Sequence, residues 1–345
     1  MKKFILTYNP GIVNQLLLSK KLPEHYLSEN WQSILTEYQN YFNPVKFFYD
    51  RTETIPHFLN IDAGRYPVPD ITNFNLSFDQ IVEKRAKELL DIGKPISVSW
   101  SGGLDSTFTL FSLAKYANDL SQIKVYCTYN SIIESGDLFD RHIKDKFKFE
   151  VKTNTSIENN YTSADLIYVT GGMGNDIFYP GTRFGERDSW MKFIDPRTEF
   201  KYLLEQPYEK VLQESNLMFL EDFIKKSPRK IETLEDLRWW VSFSFNWYNC
   251  ATNFYIGIGP EKSKRIHAFF ESDDFQRWAM TNNDPVTKTG DYSDERWQLR
   301  ESITEYTGCS KYSLNKKKST SVLSQFGTEW LFLLNDYSNV YLQDL

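Results

Sequence analysis

The six residues Ser101-Gly102-Gly103-Leu104-Asp105-Ser106 put two glycines, two hydroxyls and an acid into one short turn. Adjacent glycines let the main chain curl until several N–H groups converge on a single anion. Ser101 and Ser106 add neutral donors. A bare phosphate would be repelled by Asp105, so the acid implies a divalent cation such as Mg²⁺ between carboxylate and phosphate. The chemistry that fits is the binding of a polyphosphate together with its metal. Neither the GxxxxGK[ST] loop of common NTPases nor a GxGxxG turn is present here.

A second stretch, "LIYVTGGMGNDIFYPGT" over residues 166–182, repeats the theme with Gly171, Gly172, Gly174 and Asp176. Alone it reads equally as an ordinary strand-to-helix turn. Downstream of the first turn in one sheet, it can bring Asp176 beside Asp105 at the carboxyl ends of neighbouring strands, where α/β sheets bind ligands. Two carboxylates there can share one hard cation.

The flanking residues supply the elements such turns need. "PISVSW" reads as a strand ending at Ser99, and "LDSTFTLFSLAKYA" as the helix that leaves the turn, offering its unpaired N–H groups to the anion. "SFDQIVEKRAKELLDIG" has apolar residues at Ile81, Val82, Ala86, Leu89 and Leu90, with Ser77 as N-cap and Gly93 as a stop. "IKVYCTY", "KFEVK" and "ADLIYVTGG" are strand-like, and "GDLFDRHIKDKF" is helix-like. Strands alternating with helices predict an α/β fold, Rossmann-like, with a parallel sheet and helices on both faces. From about residue 190 the periodicity turns helical, as in "EFKYLLEQPYEKVLQE", "TLEDLRWWVSFSFNWYNCATNFY", "SDDFQRWAM" and "DERWQLRESITEYTG". We divide the chain into residues 1–75, a nucleotide-binding core over 76–185 and a mainly helical part over 186–345.

Composition narrows the class. The 345 residues are 41% hydrophobic and 16% aromatic, enough for a sizeable core. A net charge of −6 with interleaved signs does not indicate nucleic-acid binding by the whole surface, although a local basic groove is compatible with it. Cys127, Cys250 and Cys309 lie far apart and suggest neither disulfides nor a zinc site. No run is apolar enough for a membrane span or a signal peptide, which predicts a cytoplasmic protein without membrane contact. His57, His142 and His267 are isolated and fit no metal spacing. Trp239, Trp240, Phe243, Phe245, Trp247 and Tyr248 read as helical core rather than as a platform for stacking bases.

"SGGLDS" resembles the signature of the PP-loop ATP pyrophosphatases, which cleave ATP between its α and β phosphates. The second stretch is similar to the asparagine synthetase motif S-G-x-G-x-D-E-x-F-x-G, with Gly172, Gly174, Asp176 and Gly181 on matching positions. "FFESDDFQRWAM" (269–280) and "ERWQLRESI" (295–303) resemble later segments of that family. "NKKKSTS" (315–321) falls where the family carries a phosphate-contacting lysine. The five blocks keep the family's order and span roughly residues 76–325.

The resemblance implies an ATP-dependent, AMP- and pyrophosphate-forming ligase that adenylates a carboxylate or amide-type carbonyl and transfers ammonia or an amine to it. ATP and Mg²⁺ are the implied cofactors. Ser99, Ser101, Gly102, Gly103, Leu104, Asp105, Ser106, Gly172 and Gly174 would surround the nucleotide, with Asp105 and Asp176 on the metal. The adenine would lie against the strand carrying Tyr126 and Thr128. Lys316 or Lys318 would act in catalysis, unless that run is a solvated basic face. Arg300 supports the same pocket or is an exposed helix arginine.

The departures carry information too. The family's glutaminase half begins with a nucleophilic cysteine after the initiator Met, whereas this chain has Lys2, and too few residues precede the turn for that domain. Residues 1–75 therefore read as a cap or a reduced glutaminase remnant, and ammonia would come free, as an amine, or from a separate glutaminase. Met173 and Ile177 replace two glutamates of the motif, which argues against aspartate as the acceptor. Two other readings stand beside the ligase: a PP-loop enzyme that modifies a nucleobase, nucleotide or tRNA, and a non-catalytic ATP-binding protein.

Overall fold

The computed structural model describes residues 51–52, 67–152, 163–178, 224–231, 236, 239–240, 243–244, 264–282 and 296–309; of Asn175 and Asp176 it describes the backbone alone. The chain divides into two compact units, one of Pro69–Tyr179 with Asn253–Gln325, the other of Met1–Val68, Pro180–Thr252 and Phe326–Leu345.

The first unit is an α/β fold. Helix α1 (Phe78–Leu90) starts at a capping box in which Ser77 and Gln80 satisfy each other's main-chain N–H groups, and it buries Ile81, Val82, Ala86 and Leu89 along one stripe. Strand β1 (Ile96–Ser99) leads into α2 (Leu104–Tyr116), whose residues from Ser106 to Ala114 are buried all round. Then come β2 (Ile123–Thr128), the short helix α3 (Tyr129–Glu134), a single α-helical turn Gly136–Leu138 running into a π-helical turn Phe139–Ile143, and β3 (Lys148–Lys152). The helix expected over "GDLFDRHIKDKF" is thus shorter and partly underwound. Strand β4 (Ile167–Thr170) is followed by α4 (Gly174–Phe178). Much later in sequence come β5 (Ile266–Ala268), α5 (Asp273–Thr281) and α6 (Trp297–Thr307).

All four strand pairings are parallel, in the order β3-β2-β1-β4-β5. The order reverses between β1 and β4, and the crevice at their carboxyl ends is where open sheets of this kind bind ligands. Alternation separates the two faces of the sheet. Ile96, Val98, Ile123, Val125, Cys127, Ile167 and Val169 share the apolar face and are all buried. The opposite face carries Ser97, Ser99, Lys124, Tyr126, Glu150, Lys152, Tyr168 and Thr170.

Beside the sheet lies an aromatic core. Phe78, Phe108, Phe178, Phe269, Phe270, Phe275 and Trp278 meet with ring centroids 5.0 to 6.2 Å apart. Each such pair adds about 0.5–1.5 kcal/mol beyond its buried area. Phe269 and Phe270 continue directly from β5, so the late strand ties α1, α2 and α5 into one body. That strand is absent from a helix-period reading of the region, because a three-residue strand is too short to show a period.

In the second unit, Trp239, Trp240 and Phe243 are buried with centroids 5.0 to 6.0 Å apart, both tryptophans stacking on Phe243 and tilting against each other, as expected of core residues. Arg51 lies over the Phe243 ring at 4.8 Å and donates to the carbonyls of Phe243 and Pro67. Phe245, Trp247, Tyr248, Cys250 and His57 lie outside the described residues. Among those described, no helix is long and apolar enough to cross a membrane.

Candidate functional site

Strand β1 ends at Ser99, half-buried between Tyr126 of β2 and Thr170 of β4 in register. One further ladder bond, from Trp100 N–H to the Tyr126 carbonyl at 2.8 Å, carries the chain up to the turn. The Trp100 indole is buried and donates to Thr107 Oγ1 at 2.9 Å, which pins the strand to the first turn of α2. Gly103 is the N-cap of α2, extended and without a side-chain cap, and Leu104 and Asp105 open the helix.

Gly102 has φ +77° and is buried, and a Cβ there would stand 2.6 Å from the Ser131 carbonyl oxygen of α3. The position admits only glycine, for conformation and for space. Ser135 Oγ donates to the Gly102 carbonyl at 2.8 Å, so the segment after β2 clasps the turn from one side. The two hydroxyls close it internally. Ser101 N–H donates to Ser106 Oγ at 3.1 Å, the two hydroxyl oxygens are 3.0 Å apart, and Ser106 Oγ donates to the Gly103 carbonyl at 3.1 Å. Gly103 N–H reaches Ser101 Oγ at 3.3 Å. The serines hold the turn's shape, while the sequence offered them as donors to an anion.

The second glycine stretch packs onto the first. A Cβ on Gly171 would stand 2.7 Å from Asp105 C and Ser106 N, and one on Gly174 would stand 2.8 Å from Asp105 Oδ1 and 3.1 Å from the Phe270 ring. Gly172 N–H donates to Thr170 Oγ1 at 3.3 Å. Between them Met173 is buried with φ +67°, a conformation uncommon for a non-glycine residue. Ile177 is buried one helical turn on. Asp176 occupies α4 by its backbone, and its side chain lies outside what is described.

Arg296 meets the Asp105 carboxylate. Its Nη1 is 2.8 Å from both Oδ1 and Oδ2, and Arg296 is 6% exposed. Arg296 is also the N-cap of α6, in the left-handed region at φ +58°. The two non-glycine residues Met173 and Arg296, both at positive φ, thus belong to the segments that meet at Asp105, Met173 next to Gly174 and Arg296 through its guanidinium. Backbone strain of this kind costs about 1–3 kcal/mol per residue and gathers at functional sites.

The strand expected beside adenine is occupied differently. The Tyr126 carbonyl already accepts from Trp100, and its ring lies between Lys124 Nζ at 4.8 Å and Lys152 Nζ at 5.2 Å. Glu150 bridges these lysines, and the hydrogen bond from Lys124, then that from Lys152, pulls its carboxyl down to about 2. Thr128 caps α3 in a capping box with Ser131. Arg300, one turn along α6 from Arg296, is buried rather than exposed. Lys316, Lys318 and Gly181 lie outside the described residues.

Two contributors escaped the sequence reading. Ser135 lies beyond a helix break and carries no motif. Arg296 is the first basic residue of "ERWQLRESI", and its only signal was its place just ahead of a helix start.

Mg²⁺ at protein sites is held by one or two carboxylates together with substrate phosphates, not by a full protein cage. Asp105 places one carboxylate at the turn, where it pairs with Arg296, and no group of three or more His, Cys, Asp or Glu side chains suited to a metal occurs among the described residues. No protein-family model matches the chain, and neither does any curated protein.

Proposed function

We propose that the protein is an ATP-dependent ligase of the asparagine synthetase type, forming AMP and pyrophosphate. The observation that carries this reading is the packing of the second glycine turn on the first, Gly171 against the main chain of Asp105 and Ser106 and Gly174 against the Asp105 carboxylate, at the point where the strand order reverses. A PP-loop ATP pyrophosphatase needs its nucleotide turn at that place, and a merely tight connection would not need Gly174 against an acid.

In this reading the main-chain N–H groups of 104–106 hold phosphate oxygens, aided by the positive end of α2. Mg²⁺, when bound by Asp105 with Asp176, supplies charge neutralisation on the phosphates. An oxygen of the acceptor's carboxylate or amide-type carbonyl attacks the α-phosphorus, and the bond from that phosphorus to the α,β-bridging oxygen breaks. Pyrophosphate leaves, helped by Lys316 or Lys318. Ammonia or an amine then attacks the activated carbon, loses a proton and expels AMP. The acceptor is not aspartate, since Met173 brings a buried apolar side chain where the family carries a glutamate.

The test is product identity. The protein is incubated with ATP, Mg²⁺ and ammonium plus pools of carboxylate metabolites and nucleotides, and AMP and pyrophosphate are expected. Asp105→Asn should abolish pyrophosphate release. Release of ADP and phosphate instead would overturn the reading, and mass spectrometry of the pools would name the acceptor.

A further inference from the structure

A carboxylate meant for a metal is held here by a guanidinium. Arg296 Nη1 sits 2.8 Å from each Asp105 oxygen, across the lone pairs a cation would use. The contact is built in. Arg296 is 6% exposed and adopts φ +58° at the start of α6, while Gly174 leaves out the Cβ that would press on Asp105 Oδ1 at 2.8 Å.

We propose that Arg296 is an exchangeable cation that keeps a divalent metal off Asp105 until a polyphosphate arrives. In the nucleotide-free protein it pairs with Asp105; when a metal–nucleotide complex takes the carboxylate, it turns to the phosphates. This rests on the reading of the 101–106 turn as a nucleotide site.

Charge decides the order of entry. Asp105 and Arg296 neutralise one another. A free divalent ion on Asp105 would displace the buried guanidinium and leave two cations side by side at a half-buried carboxylate. A metal that comes with a triphosphate brings the anion Arg296 needs, and guanidinium–phosphate pairs are strong and directional. The displaced arginine is then a positioning residue for the nucleotide. Metal and nucleotide bind together, and metal alone binds poorly.

The experiment titrates Mn²⁺ as the metal probe, followed by electron paramagnetic resonance, with and without ATP, and tripolyphosphate in the presence of chelator. Against the wild-type protein, Arg296→Met should raise affinity for free Mn²⁺ at least about tenfold and lower affinity for Mn²⁺–ATP by a similar factor. Arg296→Lys should restore both in part. Asp105→Asn removes the charge that faces Arg296 Nη1 and should tighten metal-free tripolyphosphate binding about fivefold or more while abolishing the gain from metal. Free Mn²⁺ affinity unchanged in Arg296→Met, or weaker tripolyphosphate binding in Asp105→Asn, overturns the exchange while wild-type nucleotide binding leaves the site reading standing. If the wild-type protein binds neither ATP nor tripolyphosphate, the nucleotide site fails and the exchange fails with it.

Discussion

The two glycine turns look alike in sequence and differ in what their glycines do. In the first, Gly102 supplies a positive φ and a surface flat enough to lie under the Ser131 carbonyl. In the second, positive φ falls on Met173, and Gly171 and Gly174 are small because Asp105 lies against them. One turn shapes its own backbone; the other makes room for its neighbour, Gly171 for the main chain at Asp105 and Ser106 and Gly174 for the acid itself. A glycine in a motif therefore stands for two different constraints, and substitution separates them.

The largest effects should come where an added methyl meets main chain. Gly102→Ala and Gly171→Ala place a Cβ 2.6 and 2.7 Å from backbone atoms. Each should cost about 1–3 kcal/mol, read as a fall in denaturation midpoint, together with loss of nucleotide binding. A stability within error of wild type for either would mean the turn is not packed as described.

Gly174→Ala sharpens the comparison. Its nearest contact is the Asp105 side chain, which can rotate, so the midpoint should move much less than for Gly171→Ala. Nucleotide affinity should still fall, because the carboxylate is pushed aside. Equal destabilisation by the two alanines would erase the distinction between making room for backbone and making room for an acid.

Ser135→Ala removes the hydroxyl that donates to the buried Gly102 carbonyl. Loss of this bond should cost about 0.5–1.5 kcal/mol. Differential hydrogen exchange should place the loosening in the 101–106 turn. Loosening confined to the region of α3 would show that the clasp does not support the turn.

The smallest effect is in pH dependence, away from both turns. Burial, helped by the charge of Arg85, depresses His267 from its usual 6.5 to about 4. Between those values the unfolded chain binds a proton that the folded protein does not, so His267 erodes stability as pH falls from 6.5 towards 4. His267→Gln should flatten the denaturation midpoint over that interval. An unchanged slope would mean that His267 is solvated.

Much of this was legible in the sequence. Alternation and helix periods located β1, β2, β3, β4, α1, α2, α5 and α6, because each is long enough, or flanked clearly enough, to show its period. The meeting of the two turns was legible from chain order, since β1–α2 and β4–α4 units in a parallel sheet carry their turns to one edge. The roles of side chains were less so. Ser101 and Ser106 bond each other, Ser101 while exposed and Ser106 while buried, and Thr128 spends its hydroxyl on a helix cap. The partner of Asp105 is 191 positions away, beyond the reach of local pattern. What fixes Arg296 there is the placement of α6 against α2, which long-range packing decides.

The most direct test of the site itself is an equilibrium titration of ATP with Mg²⁺ into the wild-type protein and into Gly171→Val. The account predicts saturable, metal-dependent binding of one nucleotide per chain that the valine abolishes. Binding that survives the valine unchanged, or none to the wild-type protein, would contradict it.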